Sequence, residues 1–292
     1  MNSNKNKAIF CILISALGFA TMSMFVKMAG DLPSIEKSFF RNIVAFFCAW
    51  FLLKQSGNAF TFDKKNLPAL IVRSSLGTIG IFCNFYAVDH LILSDANMLN
   101  KLSPFFVIIF SYLFLKEKVA PFQAGAVAIA FLGSLLIIKP SFASASLFPS
   151  AIGLLGGITA GAAYTTVRYL GSKGVKGPVI VMFFSGFSTI CCIPFMVTGF
   201  VPMSLKQFIL LLCAGVAAAC GQFGVTAAYR YAPAKEISIF DYSQILFSAL
   251  YSILIFGDFP DYLSVLGYIV IISMSVLNFL YNNGKLKILF KR

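Results

Sequence analysis

The stretch DANMLNKLSPFFVIIFSYLFLKEK, residues 95–118, joins a polar cluster to a long and mostly apolar run. At helical spacing Asn97, Asn100 and Lys101 fall on one face, whereas Phe105 to Leu115 offer no comparable polar side. A helix on the surface of a soluble protein would be polar where it meets water. The pattern therefore predicts a transmembrane helix whose polar stripe turns away from lipid, toward a cavity or another helix.

A second stretch, EISIFDYSQILFSALYSILIFGD at residues 236–258, repeats this plan. With a shift of 141 residues, Asn100 and Lys101 fall on Asp241 and Tyr242. Each stretch therefore places a polar head in front of an apolar helix, once in each half of the chain. This self-similarity predicts an internal repeat.

The composition identifies a membrane protein. The 292 residues are 59% hydrophobic and 11% charged, against about 45–50% apolar and about 25% charged in soluble domains. The net charge of +13 does not indicate a nucleic-acid partner, because the basic residues stand between apolar runs, where they set topology. Seven cysteines without CxxC spacing and a single histidine predict neither a metal site nor a cofactor.

Ten apolar segments are each long enough to cross about 30 Å of hydrocarbon. The predicted spans are 8–29, 35–53, 67–88, 94–115, 119–138, 150–170, 178–199, 206–229, 236–256 and 262–281. Sixteen of the 23 basic residues fall in alternate connections, which the positive-inside rule assigns to the cytoplasm. We therefore expect a multi-pass protein of the cytoplasmic (inner) membrane with both termini in the cytoplasm.

A Ser/Ala-rich linker around residues 141–149 divides the chain into two predicted domains, 8–140 and 150–281. Each domain holds five helices, and this odd number inverts the second domain in the membrane relative to the first. Inverted repeats with a binding site near the midplane are typical of alternating-access transporters. The predicted fold class is an all-α membrane protein with ten transmembrane helices in two inverted five-helix repeats.

Several stretches resemble a known family. FFRNIVAFF at 39–47, KLSPFFVIIFSYLFLKEKV at 101–119 and GAVAIAFLGSLLII at 125–138 look like the first EamA-type domain of the drug/metabolite transporter (DMT) superfamily. The segment 229–258 looks like the second EamA domain. The resemblance implies a ten-helix inverted-repeat carrier that moves small organic metabolites through a central cavity. Within the family, RSSLGTIGIFCNFYA at 73–87 is most similar to members that handle S-adenosylmethionine or riboflavin.

Polar side chains at membrane depth are the candidates for lining the cavity. They are Asn84, Asn97, Asn100, Lys101, Tyr164, Gln222, Asp241, Tyr242 and Gln244. Lys101 and Asp241 stand out, because a charge at that depth costs at least about 2.5 kcal/mol unless it is paired or hydrated. They predict either a structural ion pair or a ligand site, with proton coupling through Asp241 left open.

Three further residues, Arg41, Asn42 and Arg73, are predicted to form a structural polar network. Arg73 lies nearer the cytoplasmic end of its helix, so a contact with lipid phosphate is the default expectation for it. The GxxxGxxxG spacing of Gly153, Gly157 and Gly161 predicts a packing seam between helices.

The predicted function is a secondary transporter that moves a small polar organic metabolite by alternating access. An amino acid, an S-adenosylmethionine-like compound and a vitamin-like compound are the candidate substrates. Export of toxic organic compounds or amino acids is the alternative, and a non-transporting scaffold or receptor is the remote one. The sequence shows no nucleophile–base arrangement, so it does not predict an enzyme. The expected partners are the substrate and membrane lipids, not nucleic acid, and homodimerisation is left open.

Overall fold

The structure, a computed structural model, describes residues 2–55, 63–90, 99–138, 147–257 and 259–284. These residues form ten helices, which confirms the all-α fold class. They are α1 (Asn2–Ala29), α2 (Ser34–Gln55), α3 (Leu67–His90), α4 (Ser103–Leu115), α5 (Pro121–Ile138), α6 (Leu147–Ser172), α7 (Gly177–Gly199), α8 (Leu205–Tyr231), α9 (Ala234–Phe256) and α10 (Tyr262–Asn282).

The outer surface of this bundle is built for contact with lipid. Seven helices, α1, α3 and α6 to α10, are long and apolar enough to cross a membrane, and α4 and α5 are shorter apolar helices. Large apolar side chains such as Phe114, Val197 and Leu254 are 70–81% exposed. The first half of α2 carries Glu36 and Arg41, so this helix is more polar than the others. An exposed apolar surface of this extent is stable only inside a bilayer.

The contacts between helices repeat with a period of five helices. The pairing of α1 with α8 has its counterpart in α6 with α3, and that of α4 with α6 in α9 with α1. Helix α2 packs on α8, and its equivalent α7 packs on α3. In the pairs α2–α7 and α5–α10, each helix packs on its own equivalent in the other repeat. This is the contact pattern of two five-helix repeats related by a two-fold operation.

Backbone conformation at two helix ends follows the same repeat. Lys116 ends α4 with a left-handed φ of 55°, and Gly257, 141 residues later, ends α9 with a φ of 70°. Lys116 is the single non-glycine residue with positive φ among the described residues. Because a left-handed residue is uncommon outside glycine, its recurrence at the equivalent position supports the repeat.

Small residues bring the inner helices close together. A Cβ atom on Gly18 of α1 would lie 2.7 Å from the backbone nitrogen of Gly221 in α8, which shows how closely these two helices cross. The seam predicted at Gly153, Gly157 and Gly161 packs against the segment 99–107, at and before the start of α4. Helices without large side chains at the crossing can approach in this way.

The two repeat-related helices, α4 and α9, are interrupted where their polar heads lie. Leu99 and Asn100 are helical, a turn follows at residues 101–102, and α4 then starts again at Ser103. Pro104 explains the turn, because its ring clashes with the carbonyl of residue 100, four positions earlier. In α9, Ser238–Tyr242 form a tighter 3₁₀ segment between two α-helical parts. The predicted span 236–256 lies within α9, whereas the first residues of the predicted span 94–115 lie outside the described part of the chain.

Candidate functional site

A cavity of about 190 Å³ lies between the two repeats. Its wall is formed by residues of α1, α2, α3, α6, α7, α8 and α9, together with Ser103 at the start of α4 and the segment that leads into it. No described side chain of α5 or α10 lies in the wall. The predicted cavity residues in the wall are Asn84, Asn100, Lys101, Tyr164, Gln222, Asp241 and Gln244. Asn97 lies outside the described residues.

Lys101 links the two repeats inside the cavity. Its ammonium group donates a hydrogen bond of 2.9 Å to Oε1 of Gln244 and lies 3.5 Å from Oδ2 of Asp241. The side chains of Lys101 and Asp241 are 11% and 15% exposed. The charges that sequence analysis singled out thus form an ion pair across the junction between α4 and α9.

Tyr242 is fully buried and stands behind the cavity wall. Its hydroxyl donates a 3.1 Å hydrogen bond to the main-chain carbonyl of Lys101. The turn at residues 101–102 takes this carbonyl out of regular helix geometry, so the tyrosine supplies a partner that the helix does not. Irregular backbone at membrane depth is tolerated where protein groups satisfy it in this way.

Amide and aromatic groups complete the polar part of the wall. Asn100 donates a 2.7 Å hydrogen bond from Nδ2 to Oδ1 of Asn84, so two predicted cavity residues bond to each other. Gln222 donates to the hydroxyl of Thr226 one turn later, at 3.3 Å. The ring of Tyr164 stacks on that of Tyr229, with 5.3 Å between centroids.

Arg41 and Arg73, predicted to be part of a structural network, lie in the cavity wall. Arg73 is only 2% exposed, so it does not reach lipid phosphate, and its guanidinium group lies 4.0 Å from the ring centroid of Phe184. Arg41 lies above the ring of Phe19 at 5.9 Å. Asn42 is buried and lines a smaller pocket beside the cavity, of which Arg41 is also a part.

Sequence reasoning missed the apolar and small residues of the wall. Phe19, Met22 and Phe184 face the cavity, as do Ala160 and Ala163. Nothing in a single sequence distinguishes an apolar side chain that faces a cavity from one that faces lipid. Gly77 and Gly80 of α3 could be placed in the wall from the sequence, because they follow Arg73 at i+4 and i+7 and so lie on the same face of the helix.

A second ion pair lies at the ends of α4 and α6. Nε of Arg168 donates a 2.9 Å hydrogen bond to Oε1 of Glu117, and its Nη1 donates at 3.2 Å to the carbonyl of Arg230 in α8. Lys235 donates to the carbonyl of Lys118 at 2.6 Å. These contacts tie the end of α4 to two elements of the second repeat, α6 and α9, and tie α6 to α8. Among the described residues, no group of three or more His, Cys, Asp or Glu is placed to hold a metal.

Comparison with known proteins gives the family. The EamA-like transporter family model matches residues 6–139. The Pseudopaline exporter CntI of Pseudomonas aeruginosa (strain UCBPP-PA14) is 33% identical over 267 residues, which cover 90% of this chain and 93% of that protein. The chain belongs to the EamA-like transporter family.

Further relatives of this EamA-like transporter span nearly its whole length. A riboflavin transporter of Brucella anthropi is 25% identical over 259 residues, covering 83% of this chain and 88% of that one. Human Solute carrier family 35 member G1 is 25% identical over 282 residues, covering 92% and 77%. A solved crystal structure superposes with a TM-score of 0.83 over 94% of this chain and 97% of that chain at 11% identity, which shows the shared fold. The protein is therefore a multi-pass membrane transporter and not an enzyme.

Proposed function

We propose that this protein is a secondary transporter that moves a small polar organic metabolite across the cytoplasmic membrane by alternating access. The observation that carries the proposal is the cavity between the repeats, into which both interrupted helices bring polar groups. Discontinuous helices at a repeat interface near the midplane form the substrate sites of many secondary transporters.

The ion pair between the repeats supplies a simple mechanism for coupling binding to movement. Lys101 belongs to the first repeat, whereas its partners Asp241 and Gln244 belong to the second. A polar substrate that bonds to either side competes with the 3.5 Å ion pair and loosens the contact between repeats. Rocking of one repeat against the other then exposes the cavity to the opposite side of the membrane.

Export is the direction that we propose. Support comes from the similarity to a protein named as an exporter, at 33% identity over 90% of this chain. Amino acids, S-adenosylmethionine-like compounds and vitamin-like compounds remain the proposed substrates, and export of toxic organic compounds is the second candidate.

Counterflow with purified protein in proteoliposomes tests the proposed function. A panel of radiolabelled amino acids, nucleoside derivatives, vitamins and organic cations is offered to vesicles that are preloaded with the same unlabelled compound. At least one polar metabolite is expected to accumulate transiently, whereas empty liposomes accumulate none. Accumulation of none of the panel by correctly folded protein argues for a scaffold or receptor instead.

Topology is tested separately in intact cells. Both termini and the connection that contains Lys64 are expected to face the cytoplasm, while Lys206 faces outward. Both side chains are exposed, so a cysteine at either position is open to reagent. A membrane-impermeant maleimide is expected to label Lys206→Cys and not Lys64→Cys, and the reverse pattern would overturn the proposed orientation.

A further inference from the structure

We propose that the cavity binds a carboxylate group through Arg41 and Arg73, so that the transported metabolite is an organic acid or an acidic zwitterion. This inference rests on the proposed transport function and narrows its substrate class. It comes from the charges of the cavity wall and from the geometry around Arg73.

The described wall of the cavity is positively charged. It contains Arg41, Arg73 and Lys101 but a single carboxylate, Asp241. Lys101 and Asp241 pair with each other, which leaves the two arginines without a counter-charge from any described wall residue. A charge at membrane depth is unfavourable unless something neutralises it. A negatively charged solute would do so, whereas an organic cation would add to the repulsion.

Arg73 is buried and has donors to spare. It is 2% exposed, and its Nε and Nη1 atoms are buried without a hydrogen-bond partner among the described residues. The ring of Phe184, 4.0 Å from the guanidinium carbon, packs against the group without accepting its in-plane hydrogen bonds. Buried charged donors are nearly always satisfied in proteins, so an unsatisfied guanidinium in a cavity wall indicates a missing acceptor.

The local packing preserves this position of the arginine. Gly77 lies one turn after Arg73 in α3, and a Cβ atom there would collide with Nη1 of Arg73 and approach Phe184 to 2.7 Å. The guanidinium plane therefore occupies space that a glycine leaves open. Arg41, from α2, lines the same cavity and forms no ion pair with a described residue.

A carboxylate fits these groups. Guanidinium donors match the two oxygens of a carboxylate or the oxygens of a phosphate, so a phosphate is the competing outcome of the test below. An ammonium group of the solute can share the carboxylate of Asp241 with Lys101. The wall therefore suits an acidic amino acid or another molecule with a carboxylate at one end.

Binding to purified protein in detergent tests the inference without any gradient. The probes are matched pairs, glutamate with glutamine, succinate with succinamide and nicotinate with nicotinamide, together with glycerol 3-phosphate and choline. At least one carboxylate is expected to raise the melting temperature while its amide partner does not. Stabilisation by amides, choline or glycerol 3-phosphate alone, or by none of the probes, would overturn the inference.

Variants assign the effect to the arginines. Arg73→Gln is expected to weaken binding of the active carboxylate at least tenfold, and Arg73→Lys to restore part of it because the charge returns without the planar fork. Lys206→Gln removes a charge on the exposed surface and serves as the control. If Arg73→Gln does not fold, Arg41→Gln takes its place. Unchanged affinity in the folded arginine variants contradicts the proposal.

A second measurement does not depend on the identity of the substrate. A cysteine at Ala160 in the wall reacts with anionic and cationic methanethiosulfonates at rates that report the local potential. The wild-type arginines are expected to favour the anionic reagent, and Arg73→Gln to lower the ratio of anionic to cationic rates severalfold, because one positive charge leaves the same wall. An unchanged ratio contradicts the inference.

The two proposals fail in different ways. Carboxylate binding without counterflow leaves the site in place and removes the transport function. Counterflow of neutral or cationic compounds without carboxylate binding supports the transport function and refutes the carboxylate site.

Discussion

Asp241→Asn tests the ion pair between the repeats most directly, because it keeps the size of the side chain and removes the charge. At an effective dielectric constant of about 20, opposite unit charges 3.5 Å apart attract by roughly 5 kcal/mol. The asparagine oxygen still accepts a hydrogen bond from Lys101, and Gln244 remains at 2.9 Å. We therefore expect a net loss of about 3 kcal/mol in the free energy of unfolding, since breaking a buried pair leaves an uncompensated charge.

A double-mutant cycle separates the pair from other effects. Lys101→Met alone leaves Asp241 without its cation, whereas both substitutions together remove both charges. Unfolding in detergent micelles, followed by far-ultraviolet circular dichroism, measures each variant. We expect the double variant to be about 2 kcal/mol more stable than the sum of the single effects predicts. Additivity within about 0.5 kcal/mol would refute the argument that the pair joins the repeats.

Transport by Asp241→Asn distinguishes a structural ion pair from a proton site. If the pair organises the cavity, transport is lost or strongly reduced at every pH between about 5.5 and 8. Counterflow and gradient-driven uptake are measured side by side in proteoliposomes. Full counterflow together with loss of the response to a pH gradient would identify Asp241 as the proton carrier and refute this account of the site.

Three further substitutions test the packing. Tyr242→Phe removes the donor to a buried carbonyl and is expected to cost about 1–3 kcal/mol, measured by chemical unfolding; a cost near zero means that water or another donor replaces the hydroxyl. Glu117→Gln weakens the 2.9 Å pair with Arg168 and is expected to lower the free energy of unfolding by about 1–2 kcal/mol. Because the pair is largely buried, 1 M salt is not expected to lower the stability of the wild type by the same amount. Gly18→Ala should cost about 1–3 kcal/mol by overpacking. Gly125→Ala, with nothing within 4 Å of the added Cβ, should instead gain up to about 1 kcal/mol of helix propensity and serves as the control.

The sequence predicted the repeat because polar residues are rare at membrane depth. Lys101 and Asp241 had to be explained by a partner or a cavity, and the 141-residue shift alone linked the two regions. Their direct contact was one of two readings that the sequence left open. The structure shows this contact, because the two interrupted helices meet there, and a role in ligand binding is compatible with it.

The roles of Tyr242 and the arginines could not be derived from the sequence. A polar residue on an apolar helix can face a cavity, or it can form a hydrogen bond with a main-chain group where a neighbouring helix is interrupted. The sequence pattern is the same in both cases. Pro104 was visible, but which group bonds to the nearby carbonyl of Lys101 depends on the neighbouring helix. Arg73 looked like a residue near a membrane surface, since its burial against Phe184 depends on how α3 meets α7.

The hydrogen bond from Tyr242 to the carbonyl of Lys101 joins two positions that descend from one ancestral residue if the halves arose by gene duplication. A symmetric ancestor would have carried the same side chain at both. Here one copy is a cation and the other a phenol, while their neighbours are Asn100 and Asp241. The halves are therefore no longer interchangeable, and a chimaera with the first half in both places would set two lysines face to face. Divergence of the copies makes the place where the two interrupted helices meet asymmetric, so a solute in the cavity meets different groups from each repeat.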